Sequence, residues 1–240
     1  VNSEMYVARP SLIAKHYTFE NYVDLFTKTE FPRALLNSLM IAFLTTVCCL
    51  LISILGSYAM TRLKYPGRRF FKTSIIFSYL IPTAVLFVPM YVFVSKLGFY
   101  DNKWALLIIY PTTVVPYCCY MLMSYFKAIP YALEEAALID GCTRMKSLRY
   151  IITPIALPGI AVVATFAFTM SWNEYLYAMI MTTSPAQQTA VVAISSFKYA
   201  DSAIWGRIMA ASVLTSLPVT IIYIVAQAQL ISGKSDGSVK

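Results

Sequence analysis

Glu134-Glu135-Ala136-Ala137-Leu138-Ile139-Asp140-Gly141 is the stretch that decides how this 240-residue chain is read. It is charged and helix-forming, and apolar sequence flanks it on both sides. Pro130 suits the first turn of a helix and Gly141 suits its exit, which predicts a helix of about 11 residues, or roughly 16 Å. Beyond it, Thr143 can cap a second helix running to about Ile152 and carrying Arg144, Lys146 and Arg149. Pro154 then marks the turn back into apolar sequence, with Pro158 close behind. The whole polar stretch, 127–153, is far longer than adjacent membrane helices need to be joined.

The flanking runs are membrane spans by composition. The chain is 59% hydrophobic and only 12% charged, whereas soluble domains are about a quarter charged. No Asp, Glu, Lys, Arg or His occurs in 34–61, 73–95, 104–126, 150–173 or 208–233, and each gap is at least 23 residues long. About 20 apolar residues cross the hydrocarbon core as a helix, and backbone groups without a water partner there must bond within the segment. The reading is an all-α integral membrane chain with five spans, at about 36–60, 71–94, 104–126, 155–181 and 208–230.

Lys and Arg set the orientation. Connections 61–72 and 127–153 and the tail 231–240 carry eleven of them, against eight spread over a longer stretch on the other side, where six acids offset most. The first set is expected in the cytoplasm, and with it the stretch quoted above. The segment 1–35 and the loop 182–207 are then extracytoplasmic. An external N-terminal segment with no span of its own implies a preceding first span, hence six in all. The net charge of +8 follows mostly from this bias. It gives no reason to expect nucleic acid, because no polar domain carries a basic face.

No catalytic residues are expected. The one histidine is His16, and no metal-ligand spacing, phosphate loop or nucleophile-base pair is present. Cys48-Cys49 and Cys118-Cys119 are adjacent pairs within spans and, with Cys142, read as packing residues. An integral-membrane transferase would need several polar catalytic groups near one interface, and a stand-alone channel would have no use for the cytoplasmic helix pair.

Within the spans, Pro82, Pro89, Pro111, Pro116 and Pro218 are candidate kinks. Ala161, Ala164, Thr165 and Phe168 share one face. So do Gly206, Ala210 and Leu214, and Ala211 and Thr215, at spacings that permit close helix contact in lipid. Trp172-Asn173-Glu174-Tyr175 interrupts the fourth span, and Glu174 is its only charge. The tetrad reads either as the lining of a substrate pathway or gate, or as an interfacial belt. In the loop after it, 184–188 breaks the helix and 190–197 could be a short helix lying at the surface.

The 134–141 helix carries Glu134, Glu135 and Asp140 and no base. A bilayer-surface helix would carry the opposite sign. Acids on a slim helix, with Ala136 and Ala137 giving little bulk, fit a protein cleft that supplies arginines.

The resemblance lies in these residues. Glu135-Ala136-Ala137 with Gly141, followed by Ile151 and Pro154, resembles the EAA motif of permease subunits from binding-protein-dependent ABC importers. Thr18-Phe19-Glu20-Asn21-Tyr22, Asn37-Ser38, Trp172-Asn173-Glu174-Tyr175-Leu176 and the end, Gln229-Leu230-Ile231-Ser232-Gly233 with Gly237-Ser238-Val239-Lys240, are similar to the MalG-like permeases of the maltose-type carbohydrate branch. Cys142 and Thr153 depart from the motif, where Ala and Leu are usual. The resemblance implies a type I ABC importer transmembrane domain in a bacterial or archaeal cytoplasmic membrane. It implies two ATP-binding subunits that hold the ATP and magnesium, with no cofactor in this chain, a second permease, and an extracytoplasmic sugar-binding protein. Glu134, Glu135, Ala136, Ala137, Asp140 and Gly141 would couple to the ATPase, and 232–240 would touch it. Importers of polyamines or phosphonates carry similar loops and are the alternative cargo classes.

Overall fold

The computed structural model describes residues 18–197 and 205–235, with side chains to residue 227. His16 and residues 236–240 of the expected tail lie outside the described residues. All regular elements among the described residues are helical. A short helix α1 (Glu20–Thr27) precedes α2 (Phe31–Arg62), which starts five residues before the expected span, with Pro32 in its first turn. At 32 residues it is about 48 Å long.

The buried face of α2 is small and polar: Ser38, Ala42, Thr45, Cys49, Ser53 and Ser57 point inward, while Leu36, Phe43, Leu51 and Leu55 are exposed. In lipid, apolar side chains need not turn inward, and small residues let backbones approach. The approach is visible against α5 (Leu106–Ala128): the Ser57 hydroxyl donates to the Cys119 carbonyl at 3.1 Å, and Ser53 to that of Val115 at 3.5 Å. α5 runs unbroken through Pro111 and Pro116.

The second expected span is not one helix. α3 (Arg68–Leu80) and α4 (Thr83–Lys96) meet at a 98° bend. The break falls at Ile81-Pro82, where Ile81 is extended, as the residue before a proline prefers. Pro89 sits inside α4 without ending it.

The docking stretch folds as α6 (Tyr131–Ile139) and α7 (Arg144–Ile155). Leu148–Ile152 within α7 is π-helical, and Pro154 explains it. Proline has no N–H to give Tyr150 and its ring crowds that carbonyl, so the turn widens. The chain therefore does not turn at Pro154, as expected, but two residues later. There α8 (Leu157–Trp172) departs from α7 at 82°.

The fourth expected span is likewise divided. α8 ends at Trp172, Asn173–Tyr175 break the helix, and α9 (Leu176–Met181) follows. α10 (Ala190–Ser196) is not a surface element: Ala190, Val192 and Ala193 are buried. α11 (Trp205–Ser235) is one helix through Pro218, and it begins before and ends after the expected 208–230.

Among the described residues, three helical stretches, Phe31–Arg62, Lys103–Ala128 and Trp205–Gln227, are long and apolar enough to cross a membrane, and the total is five if each of the two bent pairs is one span. The core lies where α2, α5 and α8 meet, around Cys49, Cys118, Leu122, Phe126, Val163 and Ala167. Gly159 of α8 sits directly on the Tyr125 ring of α5, where a Cβ would overlap it.

Candidate functional site

α6 ends in a motif that only its glycine permits. Gly141 has φ +83°, its N–H bonds the Leu138 carbonyl at 3.2 Å, and the Cys142 N–H bonds that of Ala137 at 2.9 Å. This is a Schellman ending. Thr143 then caps α7, its hydroxyl accepting from the Lys146 N–H at 3.3 Å. The two helices are thus joined by a short, fully bonded corner.

The six expected docking residues divide by face. Glu135, Ala136, Asp140 and Gly141 are exposed, together with Leu133 and Ile139, the latter 86% exposed. Ala137 is buried, and Glu134 is fully buried at 0%. Glu134 does not present its charge to a partner: its Oε1 accepts from the Tyr58 hydroxyl at 2.5 Å. Arg62 and Arg144 each lie 3.8 Å from its carboxylate. In the sequence Arg62 is one of the inside-positive charges and Tyr58 carries no signal. A charge at the end of an apolar span, answered by a carboxylate across a connection, was the available signal.

The second site is the α8–α9 break. Trp172 turns into the core. It is 2% exposed, stacks on Phe168 with ring centroids 5.5 Å apart, and donates through Nε1 to the Thr215 carbonyl at 3.1 Å. Glu174 is spent locally, its two oxygens accepting from the N–H groups of Tyr177 and Ala178, each at 3.1 Å, at the start of α9. Tyr175 packs with the cluster of Ile41, Tyr110 and Tyr177. Asn173 alone of the tetrad opens onto a cleft of ≈ 420 Å³, which it shares with Val191, Ile194, Ser212, Thr215, Ser216, Val219 and Thr220.

The third feature is the loop around α10, which is bolted to the spans. Asn37 donates to the carbonyls of Ala186 (3.1 Å) and Gln188 (3.0 Å) and accepts from Lys103 Nζ at 2.8 Å. Ser38 accepts from the Ala190 N–H at 2.8 Å. Asp101, itself at φ +49°, accepts from the Ser184 N–H at 2.8 Å and from its hydroxyl. These bonds hold the Asp101 carboxyl below its ordinary value of 3.8.

A helical chain with several membrane-capable helices, an exposed helix corner and a cleft beside a broken helix has the form of a multispanning membrane subunit. Residues 52–234 match the family model of the binding-protein-dependent transport system inner membrane component, and the chain belongs to that family. It is 36% identical over 233 residues, 96% of this chain and 83% of the other, to the inner membrane ABC transporter permease protein YcjP of Escherichia coli (strain K12). It is 32% identical over 231 residues, 95% of this chain and 84% of the other, to the trehalose transport system permease protein SugB of Mycobacterium tuberculosis (strain CDC 1551 / Oshkosh). Among solved structures, a chain of a bacterial ABC transporter that imports the acidic polysaccharide alginate superposes with TM-score 0.83 at 22% identity, covering 94% of this chain and 84% of that one. The expected all-α ABC importer permease is thereby borne out.

Proposed function

We propose that this permease is half of a sugar-translocation pathway in a cytoplasmic membrane, driven by ATP hydrolysis in partner subunits through α6. The observation that carries the reading is the mounting of α6: an outward face of Glu135, Ala136, Asp140 and Gly141 on a helix whose inward face is fixed by a buried carboxylate. A short helix held so firmly transmits force where a floppy connection would absorb it. Two ATP-binding subunits, which bind the ATP and magnesium, would alternate the permease pair between inward- and outward-open states. In this orientation α6 and the C-terminus are cytoplasmic, and the loop held by Asn37, Ser38 and Asp101 faces the sugar-binding protein.

Sugar as cargo is supported by the trehalose permease among the relatives and by the cleft, whose Ser212, Ser216, Thr220 and Asn173 offer hydroxyl and amide groups rather than charge. A polyamine would need several carboxylates along the cleft, and Glu174, the acid nearest to it in sequence, is bonded to the N–H groups of Tyr177 and Ala178 and does not line it. The pathway would run past Asn173, with the second permease closing its open side.

The test is Glu135→Lys. Uptake by the assembled transporter should fall by about 100-fold or more and the ATPase should no longer co-purify, because a like charge replaces an interfacial pair. Unchanged uptake with the ATPase retained would defeat the proposal.

A further inference from the structure

Glu134 serves no purpose on the outward face of α6, and burying a carboxylate is costly unless its charge is answered. Arg144 of α7, half-exposed, lies 3.8 Å from Oε1, and Tyr58 and Arg62 answer the charge from inside. Both lie in the last turns of α2 and are 5% and 6% exposed. The Tyr58 hydroxyl bonds Oε1 at 2.5 Å, while Arg62 Nε lies 3.8 Å from Oε2. Among the described residues, neither Arg62 Nε nor Glu134 Oε2 has a hydrogen-bond partner of its own, and each is compensated by the charge of the other. Arg62 Nη2 donates to the carbonyls of Phe126 and Ile129, where α5 ends. Its guanidinium stands 5.6 Å from the centroid of the Tyr131 ring, at the start of α6. Arg68 closes the same end of α2, donating to the carbonyls of Met60 (2.9 Å), Leu63 (3.1 Å) and Thr61 (3.2 Å).

A buried ion pair is a poor way to gain stability, since apolar side chains of similar volume serve as well or better. It is a good way to fix one geometry between elements. We propose that Tyr58, Arg62 and Glu134 are positioning residues forming a joint that makes α6 move as one body with the inner end of α2. Displacement of α6 then reaches the longest helix among the described residues directly, and through Arg62 the end of α5. The inference rests on the proposed coupling role of α6 and adds the route by which its motion enters the membrane.

The experiment uses the assembled transporter, purified with its ATPase and partner permease, with Cys48 and Cys142 replaced by alanine. Spin labels at Lys64, beyond the end of α2, and Ile139, on the outer face of α6, report their separation with and without trapping by ATP and vanadate. The parent should give one narrow distance distribution in both conditions. Tyr58→Phe removes one oxygen and Glu134→Gln removes the charge. In each, the distribution should widen about twofold on trapping while the ATPase stays bound, and the double variant should be no wider than the worse single one, as expected for residues acting as a unit. Should Glu134→Gln fail to accumulate in the membrane, Tyr58→Phe alone decides. A distribution as narrow as the parent's in Tyr58→Phe, or ATPase released by either variant as by Glu135→Lys, overturns the joint. Glu135→Lys that keeps its ATPase overturns the docking reading instead, and the label distances still report on the joint.

Discussion

Glu134 and Glu135 stand one residue apart, about 100° around the helix, and that rotation separates two kinds of work. Glu134 is enclosed by Tyr58, Arg62 and Arg144, while Glu135 faces outward. Sequence alone could not divide them, because the partners of Glu134 come from a helix 76 residues away in the case of Tyr58. The glycines divide in the same manner. At Gly56 an added Cβ meets only Cys119 Sγ at 3.5 Å and Met60 Cε at 3.7 Å, ordinary contacts. At Gly159 it would overlap the Tyr125 ring, so the ring or its helix must shift. Gly159→Ala should therefore destabilise by about 1–3 kcal/mol, the usual cost of overpacking, and Gly56→Ala by much less. The midpoint of thermal unfolding in detergent, compared between the two variants, checks this; equal midpoints would show that the α5–α8 contact yields freely.

Among the elements, the loop that carries α10 depends on a few polar bonds to the spans, and Asp101 is the one that titrates. Its carboxyl is held below 3.8 chiefly by the Ser184 hydroxyl and N–H. The unfolded loop therefore binds the proton more readily than the folded one, so acid favours release. The contribution of Asp101 is complete above the unfolded value, and it declines as pH falls below about 3.8 and through the depressed folded value. Asp101→Asn at neutral pH should mimic that acid state and, by weakening charge-assisted bonds, raise protease nicking between Ser184 and Ala190 by roughly threefold. Nicking that is identical in parent and variant would mean that Asn37 and Ser38 hold the loop unaided. The elements themselves were legible in unequal degree. Charge-free runs located α2, α5 and α11, because a span must exclude charge. The 98° bend at Pro82 and the continuity of α4 through Pro89 were not legible. A proline frees a carbonyl wherever it stands, and tertiary neighbours decide whether the helix breaks there. The small, polar stripe from Ser38 to Ser57 could have been read as the buried face of α2, had the usual rule of apolar-inward been inverted for lipid.

In the molecule as a whole, the Trp172-Asn173-Glu174-Tyr175 tetrad, which the sequence leaves open between pathway lining and interfacial belt, brings Asn173 to the cleft. The helix breaks there, but Trp172 turns into the core, Glu174 serves α9, and the hydroxyl groups along the cleft come from α11, whose Ser212, Ser216 and Thr220 lie four residues apart, with Thr215 beside them, in a run without charge. Serine and threonine in such a run bond back to their own helix, as Ser212 does to the Ile208 carbonyl at 2.8 Å and Thr220 to that of Ser216 at 2.9 Å. They cost little in lipid for that reason, and so gave no signal as strong as a charge. Their hydroxyl oxygens still offer acceptor capacity to a passing polyol. If the pathway runs along this wall, bulk there should obstruct it without touching the ATPase end. Ser216→Trp is expected to lower uptake by the assembled transporter about tenfold or more, with the ATPase still co-purifying. Trp172→Phe should do the reverse. Losing the Nε1 bond to Thr215 costs about 1 kcal/mol of stability, and uptake should stay within about twofold of the parent because no group leaves the cleft. Uptake that survives Ser216→Trp but collapses in Trp172→Phe would move the pathway from α11 to the interior side of α8.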